Sequence, residues 1–297
     1  MSHSSKRESA RRTLIGWSFS GPYVVLLLLF GLVPTVFSIW ESLNSVTKPG
    51  AITVSNFTDV FNDFRFWPAV GDVALFMVIW IPLMVGGTLI LALMIHEKAN
   101  RLSGAMRLIY FLPGAVTGSA AVLLWYFMLS PELSPFRPIL HAMGWHTNND
   151  MFTSAHLAPI FAIVAFMTGV GQWILIMFGA LQSVPHEVIE AAKIDGAGPV
   201  RTAVSIKLPL ISKYIAYMAI LSMTAALQVF VEPQLFNSIT QAGSTWWSLN
   251  QLGYTFAFAQ GNFGMAATVS VVLLIVSALG AMFLVFRTDF FQTEVDS

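Results

Sequence analysis

Six stretches of this chain, Gly16 to Ile39, Ala69 to Ile95, Leu108 to Leu129, Ala158 to Leu181, Leu208 to Val231 and Ala266 to Phe286, are almost free of charge and have the roughly 20 apolar residues that a bilayer-crossing helix needs. Inside a bilayer the backbone must satisfy its own hydrogen bonds, so such runs have one solution, the helix. The expected fold is therefore an all-α integral membrane protein with six transmembrane helices. Charged residues make up 10% of the chain, against about 25% in soluble domains. The first run is too long for the apolar part of a signal peptide and has no small-x-small cleavage site, so it reads as a retained span.

Basic residues orient the bundle. With the N-terminus inside, Lys6, Arg7, Arg11, Arg12, Lys98, Arg101, Arg107, Lys193, Arg201, Lys207, Lys213 and Arg287 lie on the cytoplasmic side, and only Lys48, Arg65 and Arg137 lie outside. Twelve against three is the bias that cytoplasmic loops carry. Both termini are then cytoplasmic. Residues 1–14 form one tail, residues 15–287 the six-helix domain and residues 288–297 a second tail.

Between the fourth and fifth spans, residues 183–209 are polar and helix-forming. Ser183 as N-cap, Pro185 in the first turn, and Glu187 and Glu190 near the positive end of the dipole predict a helix from about Pro185 to Ile194. The run Asp195-Gly196-Ala197-Gly198-Pro199 stops it and starts another. Val184, Val188, Ala191 and Ala192 recur at near-helical spacing, a narrow apolar face suited to a groove in another protein. The plainer alternative is a structured loop with no partner.

Polar groups within spans are costly in lipid and turn toward a cavity or another helix. Gln172 and Trp173 lie in the middle of the fourth span. Gln228 and Glu232, four residues apart, are expected on one face of the fifth, with Asn237 just beyond. Amides and carboxylates bind sugar hydroxyls and indoles stack on sugar rings, so these five are candidate path residues; the alternative is that they bond neighbouring helices.

Several chemistries are excluded or disfavoured. There is no phosphate-loop string, so nucleotide would have to be bound elsewhere. His186-Glu187 lacks the second histidine of a zinc helix, and the absence of cysteine removes thiolate sites. Asn56-Phe57-Thr58 fits a glycosylation sequon but reads better as a loop-end motif. Zero net charge gives no nucleic-acid signal.

Glu190-Ala191-Ala192, Asp195-Gly196-Ala197 and Ile206-Lys207-Leu208-Pro209 together resemble the EAA motif of permease subunits in binding-protein-dependent ABC importers. Asn56-Phe57, Phe111-Leu112-Pro113 ahead of Trp125, and Phe263-Gly264-Met265-Ala266-Ala267 are similar to the carbohydrate and glycerol-phosphate branch, so the resemblance spans nearly the whole chain. Val200 and Ala203 depart from the aromatic residues usual there, and Gln241 to Thr245 replace a Gly-Gly-Pro. The resemblance implies a six-helix importer permease fold with a cytoplasmic coupling helix between helices four and five. It implies that Glu190, Ala191, Ala192, Asp195, Gly196, Ala197, Ile206, Leu208 and Pro209 couple to the ATPase. It further implies a bacterial inner membrane, a second and different permease, two ATPase subunits that bind ATP and magnesium, an extracytoplasmic solute-binding protein, and no catalysis or cofactor in this chain. The implied solute is a sugar, an oligosaccharide or a glycerol-phosphate-like compound; another class, such as an amino acid or metal, is the alternative. A secondary carrier would show internal repeats and buried coupling carboxylates, which the spans lack.

Overall fold

A computed structural model describes residues 16–44, 51–97, 101–116, 118–240 and 244–287. Its helices are α1 (Gly16–Ser42), α2 (Ser55–Asn62), α3 (Phe66–Glu97), α4 (Arg101–Phe111), α5 (Gly118–Leu129), α6 (Arg137–Ala142), α7 (Ser154–Gln182), α8 (His186–Ile194), α9 (Pro199–Leu210), α10 (Ser212–Leu227), α11 (Val231–Thr240), α12 (Leu249–Tyr254) and α13 (Phe263–Arg287). Among the described residues the only extended pairing is an isolated bridge between Asn44 and Ile52. The terminal tails, Lys48, Lys98 and Gln241 to Gly243 lie outside the described residues.

α1, α3, α7 and α13 are each long and apolar enough to cross a membrane unbroken. The expected straight third span is instead bent by 105° between Ser103–Ala115 and α5. Pro113 has no N–H to continue the helix, and the chain tightens into a 3-10 turn at Leu112–Ala115. That bend nests on α7 at Gly171, where any Cβ would run into the backbone of Tyr110 and Phe111.

The fifth span also differs from the single helix Leu208 to Val231. It is bent by 74° where α9 meets α10, and it ends at Leu227 rather than Val231. Pro233 supplies the cause. Continued through, the helix would bring its ring against the Val229 carbonyl, whereas in the first turn of α11 the missing N–H costs nothing. Gln228 and Glu232 therefore do not share one helical face, since Gln228 caps α10 and Glu232 opens α11. The expected outer loop beyond is also helical: α12 starts on a capping box between Ser248 and Gln251 and runs into a π-helical stretch, Thr255–Ala259.

α3 packs along α7, α10 lies against α3 and α13, and α13 lies along α1. The fully buried Phe76, Phe161, Phe236 and Phe256 form an aromatic core toward the end of the bundle that carries α2, called the outer end after the orientation expected from the basic residues. A second cluster toward the inner side joins Ala92, Met177, Leu181, Val184, Ile211 and Met218. Two motifs distant in sequence meet at the outer surface. Asn56 is buried, and its Nδ2 donates to the carbonyls of Ser42 at 3.0 Å and Asn44 at 2.9 Å. Gly264 leaves room for it, because a Cβ there would stand 2.8 Å from that nitrogen. An amide so enclosed is a structural tie, in keeping with the loop-end reading.

Candidate functional site

The inner site is the segment from Ser183 to Pro209. Ser183 does not cap α8 as expected; its Oγ donates to the Ala180 carbonyl at 2.7 Å and closes α7. Pro185, extended at φ −59°, ψ 134°, stands at the N-cap instead. α8 ends on Gly196 at φ +79°, a left-handed conformation that favours glycine. Ala197 N–H donates to the Ala192 carbonyl at 2.9 Å and seals the helix end. Gly198 then caps α9, with Pro199 in its first turn.

Burial divides this segment into a root and a ridge. Val184 and Ala192 are buried, with Ile189 and Leu208 half-buried on the inner cluster, which also contains side chains of α3, α7 and α10. Thr202 and Lys207 are buried as well. Glu190, Ala191, Asp195, Gly196 and Pro209 are exposed, while Ala197 and Ile206 are half-buried. The apolar face read from the sequence thus splits. Val184 and Ala192 point in, whereas Val188 points out beside Ile194 and Val200, which are 86% and 75% exposed. Two branched apolar residues held so far into water, on either side of a rigid turn, form a ridge that lacks a cover. The segment's own root, Val184, Ile189 and Leu208, belongs to the same packed cluster as side chains of three spanning helices.

The outer site lies at the break between α10 and α11. Gln228 and Glu232 line a cavity of about 390 Å³ together with Phe76 and Trp80 of α3 and Thr168 of α7. Counted along α3, Phe76 and Trp80 lie roughly 15–20 Å from the helix start at Phe66. Their rings are stacked at 5.4 Å and 10°, and the Trp80 indole N–H is buried without an acceptor. Gln228 also borders an adjoining cavity of about 830 Å³, which Asn250, Tyr254 and Ser270 share. None of the other three candidate path residues lines either cavity. Gln172 is exposed on α7, Trp173 is half-buried and edge-on to Tyr217 at 6.0 Å, and Asn237 is half-buried in α11. Sequence reasoning missed Trp80 and Asn250. The Ser248-x-x-Gln251 capping box was the available signal for α12, which carries Asn250. No group of three metal-ligating side chains occurs among the described residues.

Four unbroken apolar helices and two bent pairs, with a polar helical segment between the fourth and fifth spans, describe a multi-span membrane protein, and the chain belongs to the family described as the inner membrane component of binding-protein-dependent transport systems, whose model matches residues 19–290. It is thus a membrane permease of the ABC importer type, without catalysis of its own. The lactose transport system permease protein LacF of Rhizobium radiobacter is 32% identical over 277 residues, covering 89% of this chain and 90% of its own. The probable ABC transporter permease protein YurN of Bacillus subtilis (strain 168) is 28% identical over 292 residues, covering 94% and 97%. A chain in the crystal structure of a bacterial ABC transporter that imports the acidic polysaccharide alginate has the same fold, with a TM-score of 0.80 at 17% identity over 97% of this chain and 100% of that one.

Proposed function

We propose that this permease pairs with a second, different permease around a path for a sugar or related polyhydroxy solute, and that residues 183–209 dock it to one of two ATPase subunits in the cytoplasm. The N-terminus is then cytoplasmic, as the charge bias requires. ATP and magnesium belong to the ATPases, and a binding protein delivers solute to the outer loops. ATP-driven closure of the ATPases moves α8 and α9. Their root in the inner cluster passes the motion to α3, α7 and α10, which rock as bodies between inward- and outward-facing states.

One observation carries this reading: the exposed Ile194, Gly196 and Val200 ridge stands on a cluster shared with three spanning helices. A carbohydrate-type solute is supported by the cavity at Gln228, where an amide, a carboxylate and stacked aromatics meet, and by relatives such as the lactose permease. The docking role is tested by Gly196→Val, which forces a β-branched side chain into a left-handed turn at a local cost of about 1–2 kcal/mol. The variant should reach the membrane at the normal level while the ATPase yield on co-purification drops. Recovery of the ATPase at the wild-type ratio would contradict the assignment.

A further inference from the structure

Three cavities form a chain along the outer half of the protein. The 390 Å³ cavity and the 830 Å³ cavity share Gln228 and Phe230, and the latter shares Asn250, Tyr254 and Ser270 with a third of about 320 Å³. Their charged lining is of one sign. It consists of Glu232 in the first cavity and Glu41 in the third, and among the described lining residues there is no lysine, arginine or histidine. Arg65, at the outer surface, is committed elsewhere: its guanidinium is bonded to Asp63 at 2.7 and 2.8 Å and lies 4.9 Å from the centre of the Phe256 ring.

We infer that the path through this chain selects neutral polyhydroxy solutes and excludes anionic ones, with Glu232 as the discriminating residue and Trp80 as a hydroxyl-binding residue. The inference rests on the reading of the cavity at Gln228 as part of the solute path. A carboxylate has only acceptors to offer, so it takes hydrogen bonds from sugar hydroxyls and repels a uronate or a phosphate brought within a few ångströms. Phe76, Phe161 and Val229 on the cavity wall lower the local polarity around Glu232 and strengthen that repulsion relative to open water. The buried indole N–H of Trp80 has no acceptor among the described residues. A buried donor of that kind is costly unless a ligand or water satisfies it; it lies just behind the cavity wall, and a small turn of the Trp80 side chain on solute binding would bring it to a hydroxyl oxygen. The Gln228 amide adds one donor group and one acceptor. The set recognises hydroxyls and contains nothing to neutralise a negative charge.

The test uses the assembled importer in lipid nanodiscs without its binding protein, so that only the membrane site is read. Thermal stabilisation and equilibrium binding are measured with lactose and maltotriose as neutral probes, and with galacturonate oligomers and glycerol 3-phosphate as anionic ones. Wild type should bind the neutral probes at least roughly tenfold more tightly. Glu232→Gln should keep neutral binding and lose most of the discrimination, and Glu232→Lys should favour the anionic probes. Trp80→Phe, which keeps the ring and removes the N–H, should weaken neutral binding about fivefold, as expected for one hydrogen bond. Equal binding of both classes by wild type, or an unchanged preference in Glu232→Lys, would overturn the charge selection and leave the path reading standing. Binding of neither class by a folded importer would overturn the path reading itself, and the selection with it.

Discussion

Asp63 and Arg65 show how single side chains pin the outer surface around the cavity. The Arg65 Nε and Nη2 donate to the two carboxylate oxygens of Asp63 at 2.8 and 2.7 Å, and the Arg65 backbone N–H donates to the same carboxylate at 2.9 Å. Arg65, through its hydrogen bonds, holds the Asp63 carboxyl below the usual carboxylate range, and Asp63 in turn raises the guanidinium. A carboxyl lowered by folding stabilises the protein fully above its unfolded pKa of about 3.9, and that contribution is lost as pH falls through the lower folded value. Asp63→Asn should therefore reduce stability at pH 7 by about 1 kcal/mol, typical of a paired surface carboxylate. Its melting difference from wild type should close as the pH is taken below about 4. A difference that stays constant over a pH series of melting curves would contradict this account.

Between elements, Asn56 does what no span does alone: it ties the end of α1 to α2 beneath the first turn of α13. Asn56→Ala would leave the carbonyls of Ser42 and Asn44 without that donor. The expected loss is about 2–3 kcal/mol, read as a lower melting temperature of the purified protein with transport-competent assembly retained at low temperature. An unchanged melting temperature would show that water replaces the amide. The same scale explains what the sequence could disclose. Apolar run length marked the four unbroken spans and the two bent pairs, and the glycine and proline run around Gly196 placed the end of α8 within a residue, because both effects are local. The breaks at Ile211 and Leu227 were hidden, since Ser212, Lys213 and Gln228 only briefly interrupt an otherwise apolar run over residues 208 to 231 and hydropathy does not record helix direction. Pro233, beyond the apolar run, was the clue to the second break. α12 was missed because a capped helix of six residues is too short to carry a hydropathy signal.

The whole molecule separates two jobs by the thickness of the membrane. One end holds the cavity lined by Gln228, Glu232 and Trp80, the proposed solute site, and the other holds the exposed ridge of Ile194 and Val200. α3 and α7, packed side by side, contribute to both the aromatic core and the inner cluster and so connect the two ends. Gln228 and Glu232 line one cavity through the chain break rather than through the shared helical face expected from their spacing. The central claim is that the ridge faces the cytoplasm and is covered by an ATPase. The chain has no cysteine, so Ile194→Cys introduces its only thiol, and labelling of this chain by a membrane-impermeant maleimide reads that position alone. The account predicts no labelling in right-side-out vesicles, rapid labelling in inside-out vesicles stripped of ATPase, and protection when the ATPase is restored. Labelling from the outside, or an equal rate with and without the bound ATPase, would contradict it.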